Sequence, residues 1–376
     1  MKHRIISLIM PLMLFGTGAS AQGLKDAAQN RFLVGVCVEG NEIYERRPQA
    51  ETLITRHFNS IVPGNCMKHQ FIHPERDRYN WRDADQTVRY GRERGMAVIG
   101  HCLVWHSQVS PWMFVDEAGK EVTRDTLIQR LHDHIHTVVS RYRGLVHGWD
   151  VINEAINDDG SLRETPYLRI IGPEYFEMAF RFAHEADPDV ELYYNDYSMA
   201  LPAKREAVCR LVRDLRAKGC RIDAVGMQSH LGLTYPDLAD YEKSIRALSD
   251  CGVNVMVTEL DVSVLPNPWD FQGADVNQNF EYSERMNPYT AGLPDSVYQQ
   301  LETRYLNLFD IYRRNADRIT RVTFWGFDDG SSWLNGFPIH GRTNYPLLFD
   351  RQLQPKPVVE KIVRLLEGRK GKKKRR

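Results

Sequence analysis

Two stretches decide how this chain reads: Trp149-Asp150-Val151-Ile152-Asn153-Glu154-Ala155 and Val257-Thr258-Glu259-Leu260-Asp261-Val262. Each is a short apolar run of the kind that forms a β-strand, with a glutamate at its C-terminal end. The interval between them fits about three strand–helix steps of a parallel barrel. In such a barrel the C-terminal strand ends share one face, so the two carboxylates are expected to oppose each other across one cleft. Two carboxyl groups placed that way are what a retaining cleavage of a glycosidic bond requires.

Working outward, apolar runs alternate with amphipathic ones, the pattern of βαβ units. Strands are predicted at 32–36, 60–62, 97–101, 146–151, 191–194, 224–227, 253–257 and 322–325. Helical spacing of Leu127, Leu131, Ile135 and Val138 predicts a helix over 125–141, with others over 174–184 and 204–218. The fold class is therefore α/β, a single (β/α)8 TIM barrel, and the 376 residues suit one such barrel. By this count Glu154 ends strand four and Glu259 ends strand seven. The polar segment 266–294 is long for a barrel loop. It leaves strand seven on the glutamate face and is expected to fold over the cleft.

The ends divide from the barrel. Residues 1–21 read as a signal peptide: a basic start at Lys2, His3 and Arg4, an apolar stretch, then Ala19-Ser20-Ala21 as a cleavage site. The alternative, a membrane anchor, is disfavoured because a bilayer span needs about 20 apolar residues. Export to the periplasm or the medium is expected, with a catalytic domain over 22–367. A basic tail over 368–376 should be solvated and disordered, or serve surface attachment. The chain has 49 basic and 49 acidic residues. Because the tail is so basic, the body is mildly acidic, which argues against a nucleic-acid partner. No membrane span is expected in the mature chain, and a monomer is the expected state. The six cysteines show no CxxC spacing, so a metal site is not expected of them. They are either free and buried or partly paired, Cys209 with Cys220 being nearest in sequence.

The chemistry asks for one neutral and one charged carboxyl. The acid needs a raised pKa, which burial and a neighbouring carboxylate provide. Asp150 has the same strand parity as Glu154 and is expected to hold the proton there, which makes Glu154 the acid/base. Glu259 is then the nucleophile, with Asp261 and His230 as supports in a carboxylate–imidazole–carboxylate relay. A single glutamate at a strand end is as readily an ion-pair partner; two in opposed settings are not. The run His101-Cys102-Leu103-Val104-Trp105-His106-Ser107-Gln108 joins imidazoles, an indole and an amide, suited to sugar hydroxyls and sugar C–H faces. Trp325, Trp333 and Tyr197 extend that platform unless they are core. Zinc at His101 and His106 is disfavoured, because their spacing is not that of a helical metal pair and no third ligand suggests itself.

On these residues the chain resembles glycoside hydrolase family 10, the endo-β-1,4-xylanases, from about residue 25 to 360. The resemblance rests on the 100–108 run with Pro111-Trp112, on 149–155, on Tyr194-Asn195-Asp196-Tyr197 and on Gly226-Met227-Gln228-Ser229-His230. Thr258-Glu259-Leu260-Asp261, Trp325-Gly326, Ser332-Trp333 and Pro346-Leu347-Leu348-Phe349-Asp350 complete it. It implies a retaining endo-hydrolase acting on xylan and xylo-oligosaccharides, with no cofactor. It implies Glu154 as acid/base and Glu259 as nucleophile. It places Asn65, Lys68, His101, Trp105 and Gln108 at the non-reducing-side sugar sites. Asn153, Gln228 and His230 fall beside the cleaved bond, with Trp325 and Trp333 as an aromatic wall.

One departure stands out. The family's Glu-Asn-x-Met-Lys reads Gly64-Asn65-Cys66-Met67-Lys68 here. The resemblance gives that glutamate a sugar hydroxyl two sites from the cleaved bond. Its loss is expected to cost about 1.5–3 kcal/mol of binding unless a neighbour replaces it. Two alternatives stay open: a β-glucanase or mixed-specificity glycosidase, which crowding by Trp325 and Trp333 disfavours, and a non-catalytic carbohydrate-binding barrel, which retention of both glutamates disfavours.

Overall fold

A computed structural model describes residues 22–268, 271 and 273–368. The expected leader and the basic residues from 369 onward lie outside these. Eight strands carry the fold: β1 (Leu33–Val38), β2 (Ser60–Pro63), β3 (Ala97–Trp105), β4 (Gly148–Asn153), β5 (Glu191–Asp196), β6 (Ala224–Met227), β7 (Asn254–Ser263) and β8 (Ile319–Phe324). All neighbouring pairs are parallel. The ring closes through β8 on β1 and β6 on β7. This is the (β/α)8 barrel that the alternation of patterns predicts.

Every residue of β2, β4 and β6 is buried, because barrel strands are covered on both faces. Inward, Cys37, Val62, Ile99, Tyr193, Ala224 and Met256 fill the ring, with Trp325 packed against them. Outward, the strands meet a shell of helices in one continuous apolar cluster. The predicted helices form at Arg124–Arg141, Tyr175–Ala186 and Pro202–Ala217. Thr123 caps the first, its Oγ1 accepting from the Thr126 amide at 3.3 Å. Pro202 opens the third at a position where no amide hydrogen is needed.

β3 and β7 run further than the apolar pattern predicts, to Trp105 and Ser263. Their C-terminal halves carry His101, Glu259 and Asp261, polar residues that stay in the ladder because the cleft uses them. A short strand, His230–Gly232, adds alongside the upper part of β7 and pairs His230 with Asp261. The six cysteines are all free thiols, so the Cys209–Cys220 pairing does not form. Cys209 instead points its Sγ at the Ala247 carbonyl, 3.5 Å away, which the Cys251 thiol also approaches at 3.3 Å. Among the described residues no helix is long and apolar enough to cross a membrane.

The ring interior tolerates little change. A Cβ on Gly148 would lie 2.0 Å from Tyr193 Oη, so the tyrosine fills the space this glycine leaves. Gly148→Ala is expected to destabilise the barrel by about 1–3 kcal/mol through overpacking. Gly40→Ala, where nothing lies within 4 Å, should stay within about 0.5 kcal/mol. Urea unfolding midpoints of the two variants check this; equal midpoints would contradict the packing described.

Candidate active site

The strand ends are bent to aim the carboxyls inward. β4 slips register against β5 between Asp150 and Ile152, and against β3 between His101 and Val104. Such irregularities re-aim side chains at barrel rims. Just past β4, Glu154 adopts a left-handed backbone (φ 57°), as does Gln108 (φ 49°). That region is rare for residues other than glycine and collects at functional sites. Both glutamates are 4% exposed, so their charge states depend on neighbours rather than on bulk water.

Glu154 Oε2 accepts from Trp105 Nε1 at 2.8 Å and its Oε1 from Gln228 Nε2 at 2.9 Å. Burial, reinforced by the carboxylates of Asp196 and Glu259, lifts its pKa to about 7. Here the structure corrects the strand-parity argument. Asp150 is occupied by His101, whose Nδ1 lies 2.9 Å from Asp150 Oδ2, and the register slip takes it out of line with Glu154. Of the two carboxylates acting on Glu154 the stronger is Asp196, held by the ammonium of fully buried Lys204 at 2.8 Å.

Glu259 has the opposite surroundings. Burial works against its charge. The hydrogen bond from His230, the nearby His101 imidazole and a hydrogen bond from Asn195 outweigh burial and hold its carboxyl below the usual range. His230 Nε2 lies 3.1 Å from Glu259 Oε2, and its Nδ1 3.0 Å from Asp261 Oδ2. Burial also opposes charge on His230, yet Asp261 and Glu259 raise its pKa to about 10. Trp333 Nε1 donates to the same Asp261 oxygen at 2.8 Å. The two glutamates are joined by amides: Asn195 Nδ2 donates to Glu259 Oε1 (2.8 Å) and Asn153 Oδ1 (2.9 Å), and Gln228 Nε2 reaches Asn153 (3.3 Å) as well as Glu154.

Around this pair one cleft gathers Asn65, Lys68, His101, Trp105, Gln108, Asn153, Gln228, His230, Trp325 and Trp333. At one end Lys68 Nζ donates to Asn65 Oδ1 (3.2 Å) and Gln108 Oε1 (2.9 Å) and lies 5.0 Å from the Trp105 ring centroid. At the other, an adjoining cavity shares His230, Trp333 and Phe337 with the cleft and also reaches Asp261. Tyr197 lines that cavity but is only 5% exposed, sitting under the Lys204 ammonium and hydrogen-bonded to Arg163. Trp325 meets His101 edge-on at 5.3 Å, and Trp333 stacks on Phe337 at 4.5 Å. The long loop comes down beside the cleft. Asp275 pairs with Arg163 at 3.3 Å, and Asn277 Nδ2 donates to Ser107 Oγ at 3.0 Å.

Sequence reasoning left Asn195, Asp196, Lys204 and Arg163 without roles. Asn195 and Asp196 end β5, the same kind of position that marked the two glutamates, and that was the signal available. Lys204 sits in the first turn of a helix, where nothing local reveals it. His101 is engaged with Asp150, and burial pushes the His106 pKa down to about 4. His69, His73 and His134 do bring ring nitrogens within 4.8 Å of one another. Their hydrogen bonds consume the lone pairs a metal needs. His69 Nδ1 accepts from the Ser110 amide at 3.1 Å, and His73 Nε2 faces the Arg76 carbonyl at 3.0 Å and must donate. His73 Nδ1 then accepts from His134 Nδ1 at 3.0 Å.

A closed (β/α)8 barrel with two buried, oppositely poised glutamates in a sugar-sized cleft is a glycoside hydrolase. Residues 23–365 match the family model described as Glycosyl hydrolase family 10, and the chain belongs to that family. It is 53% identical over 368 residues to the endo-1,4-beta-xylanase A of Xylanibacter ruminicola, covering 97% of this chain and 100% of that one. Among solved structures, a family 10 endoxylanase retrieved from a sugarcane soil metagenome superposes with a TM-score of 0.88. It is 42% identical and covers 91% of this chain and 100% of that one. A mutant protein solved in complex with xylotriose superposes with a TM-score of 0.80 at 32% identity, over 91% and 99% of the two chains.

The His230 relay has a direct readout. With its pKa near 10, His230 should stay protonated through neutral pH in 15N-detected imidazole NMR. Asp261→Asn removes a charge that holds the proton on, so titration should move down toward the ordinary histidine range near 6.5. An unchanged titration would contradict the relay.

Proposed function

We propose that this protein is an endo-1,4-β-xylanase that cleaves internal bonds of xylan by a retaining double displacement. The observation that carries this is the split between two buried carboxyls, Glu154 pushed up to about 7 and Glu259 held below the ordinary range. In the first step the Glu259 carboxylate attacks the anomeric carbon. The glycosidic C–O bond breaks, and the leaving oxygen takes the proton of Glu154. In the second, ionised Glu154 takes a proton from water as that water attacks the same carbon and releases Glu259. His230 and Asp261 hold Glu259 charged before it attacks and receive it as a carboxylate when water releases it. Asn195, Asn153 and Gln228 keep the amide bridge between the two carboxyls.

The similarity to endo-1,4-beta-xylanases and the fit to a xylotriose-bound protein support xylan and xylo-oligosaccharides as substrates. The indoles of Trp325 and Trp333 on the cleft wall support xylose over hexose units, which carry an extra hydroxymethyl group. The same reading includes export of a monomer after cleavage before Gln22. N-terminal sequencing of the mature protein from the medium or periplasm tests this, and a retained leader would contradict it.

Glu259→Ala is expected to lower turnover on every glycoside by several orders of magnitude. Glu154→Ala should spare the first step on aryl xylosides with good leaving groups, which need no proton, while abolishing xylan hydrolysis. Equal losses on both substrates for Glu154→Ala would contradict its role as acid. Reducing-sugar release should be greatest on xylan, less on β-glucan and carboxymethylcellulose. A preference for glucan would favour a β-glucanase, and no release from any would favour a binding barrel.

A further inference from the structure

We propose that Glu39, immediately after β1, is a substrate-binding carboxylate of the cleft, and that position 64 is glycine to make room for it. The proposal rests on the xylanase reading above. A Cβ built on Gly64 would come 2.1 Å from Glu39 Oε1, 3.0 Å from its Cδ and 3.1 Å from Cys37 Sγ. A side chain at 64 and the carboxylate of Glu39 therefore claim the same volume. The absent glutamate at 64 leaves no gap; an acidic group enters the same space from the neighbouring strand.

Glu39 is held as a binding group would be. Its Oε1 accepts from Asn65 Nδ2 at 2.8 Å, and its own amide donates to Glu42 Oε2 at 3.1 Å. The side chain is exposed on the cleft wall, and among the described residues none donates to its Oε2. Lys68 donates to Asn65 and Gln108, so acidic, amide and ammonium groups stand side by side, a set that matches the donors and acceptors of a vicinal diol. A charged acceptor with one oxygen anchored and one open can take a sugar hydroxyl in a charge-assisted hydrogen bond. Trp105 links Lys68 to Glu154, and Asn65 links Lys68 to Glu39. Glu39 thus serves a sugar unit further from the cleaved bond than the one between the two glutamates.

The test compares kcat/KM for an aryl β-xylobioside with that for an aryl β-xyloside, which lacks the distal unit. Glu39→Ala should lower the ratio of the two roughly 10- to 100-fold. Glu39→Gln, which keeps an acceptor for Asn65 but loses the charge, should lower it less. Gly64→Glu alone should also lower the ratio, because two side chains cannot share the space, and Gly64→Glu combined with Glu39→Gly should recover it. An unchanged ratio in Glu39→Ala, or equal losses on both substrates, would overturn the proposal. Failure of the unmutated protein to cleave either xyloside or xylan would instead overturn the xylanase reading.

Discussion

The site depends on keeping two buried carboxyl groups in opposite charge states within one polar network. Two like charges in a poorly solvated cleft repel, and neither is well hydrated. The protein resolves this by giving each glutamate a different neighbour. Glu259 receives His230, itself kept protonated by Asp261. Glu154 receives neutral donors, Trp105 and Gln228, and feels the Asp196 carboxylate from the next strand. Asn195, Asn153 and Gln228 connect the halves, so neither carboxyl can move without disturbing the other.

The barrel makes this arrangement possible. Parallel strands bring the ends of β4, β5, β6 and β7 to one rim, and register slips and left-handed residues turn the side chains inward there. Below the rim the packed ring interior, with Tyr193 filling the space over Gly148, supplies a rigid floor. Precision at the rim rests on that floor, since a catalytic pair must be held to fractions of an ångström. Lys204, fully buried, shows what the arrangement costs: an ammonium is taken out of water to anchor Asp196 and cover Tyr197.

Much of this was legible in the chain. All eight strands were predicted by apolar runs, since barrel strands are covered on both faces and read as continuous hydrophobic stretches. Their C-terminal ends were less so, because there the pattern turns polar for the sake of the cleft. The His230–Asp261 relay was read from the chemistry of an imidazole between two carboxylates, and the structure delivers it although Ser229 (φ 67°) breaks the strand just before His230. The parity argument failed for Asp150, because the register slips after Asp150 and Glu154 itself turns left-handed. Asp196 and Lys204 were invisible as partners since their contact joins a strand end to the helix after it. Glu39 carried no motif at all. The glycine at 64 was the visible trace of it, read first as a loss because the sequence does not show what stands opposite.

The account stands on which of the two glutamates holds the proton. Carboxyl 13C NMR of glutamate-labelled protein, assigned with Glu154→Gln and Glu259→Gln, reads this directly. The two interacting groups titrate as a pair, and the account predicts a step near pH 7 carried mainly by Glu154 and a step below the ordinary glutamate range carried mainly by Glu259. The reverse assignment, or two ordinary carboxyls titrating together near 4.3, would contradict it.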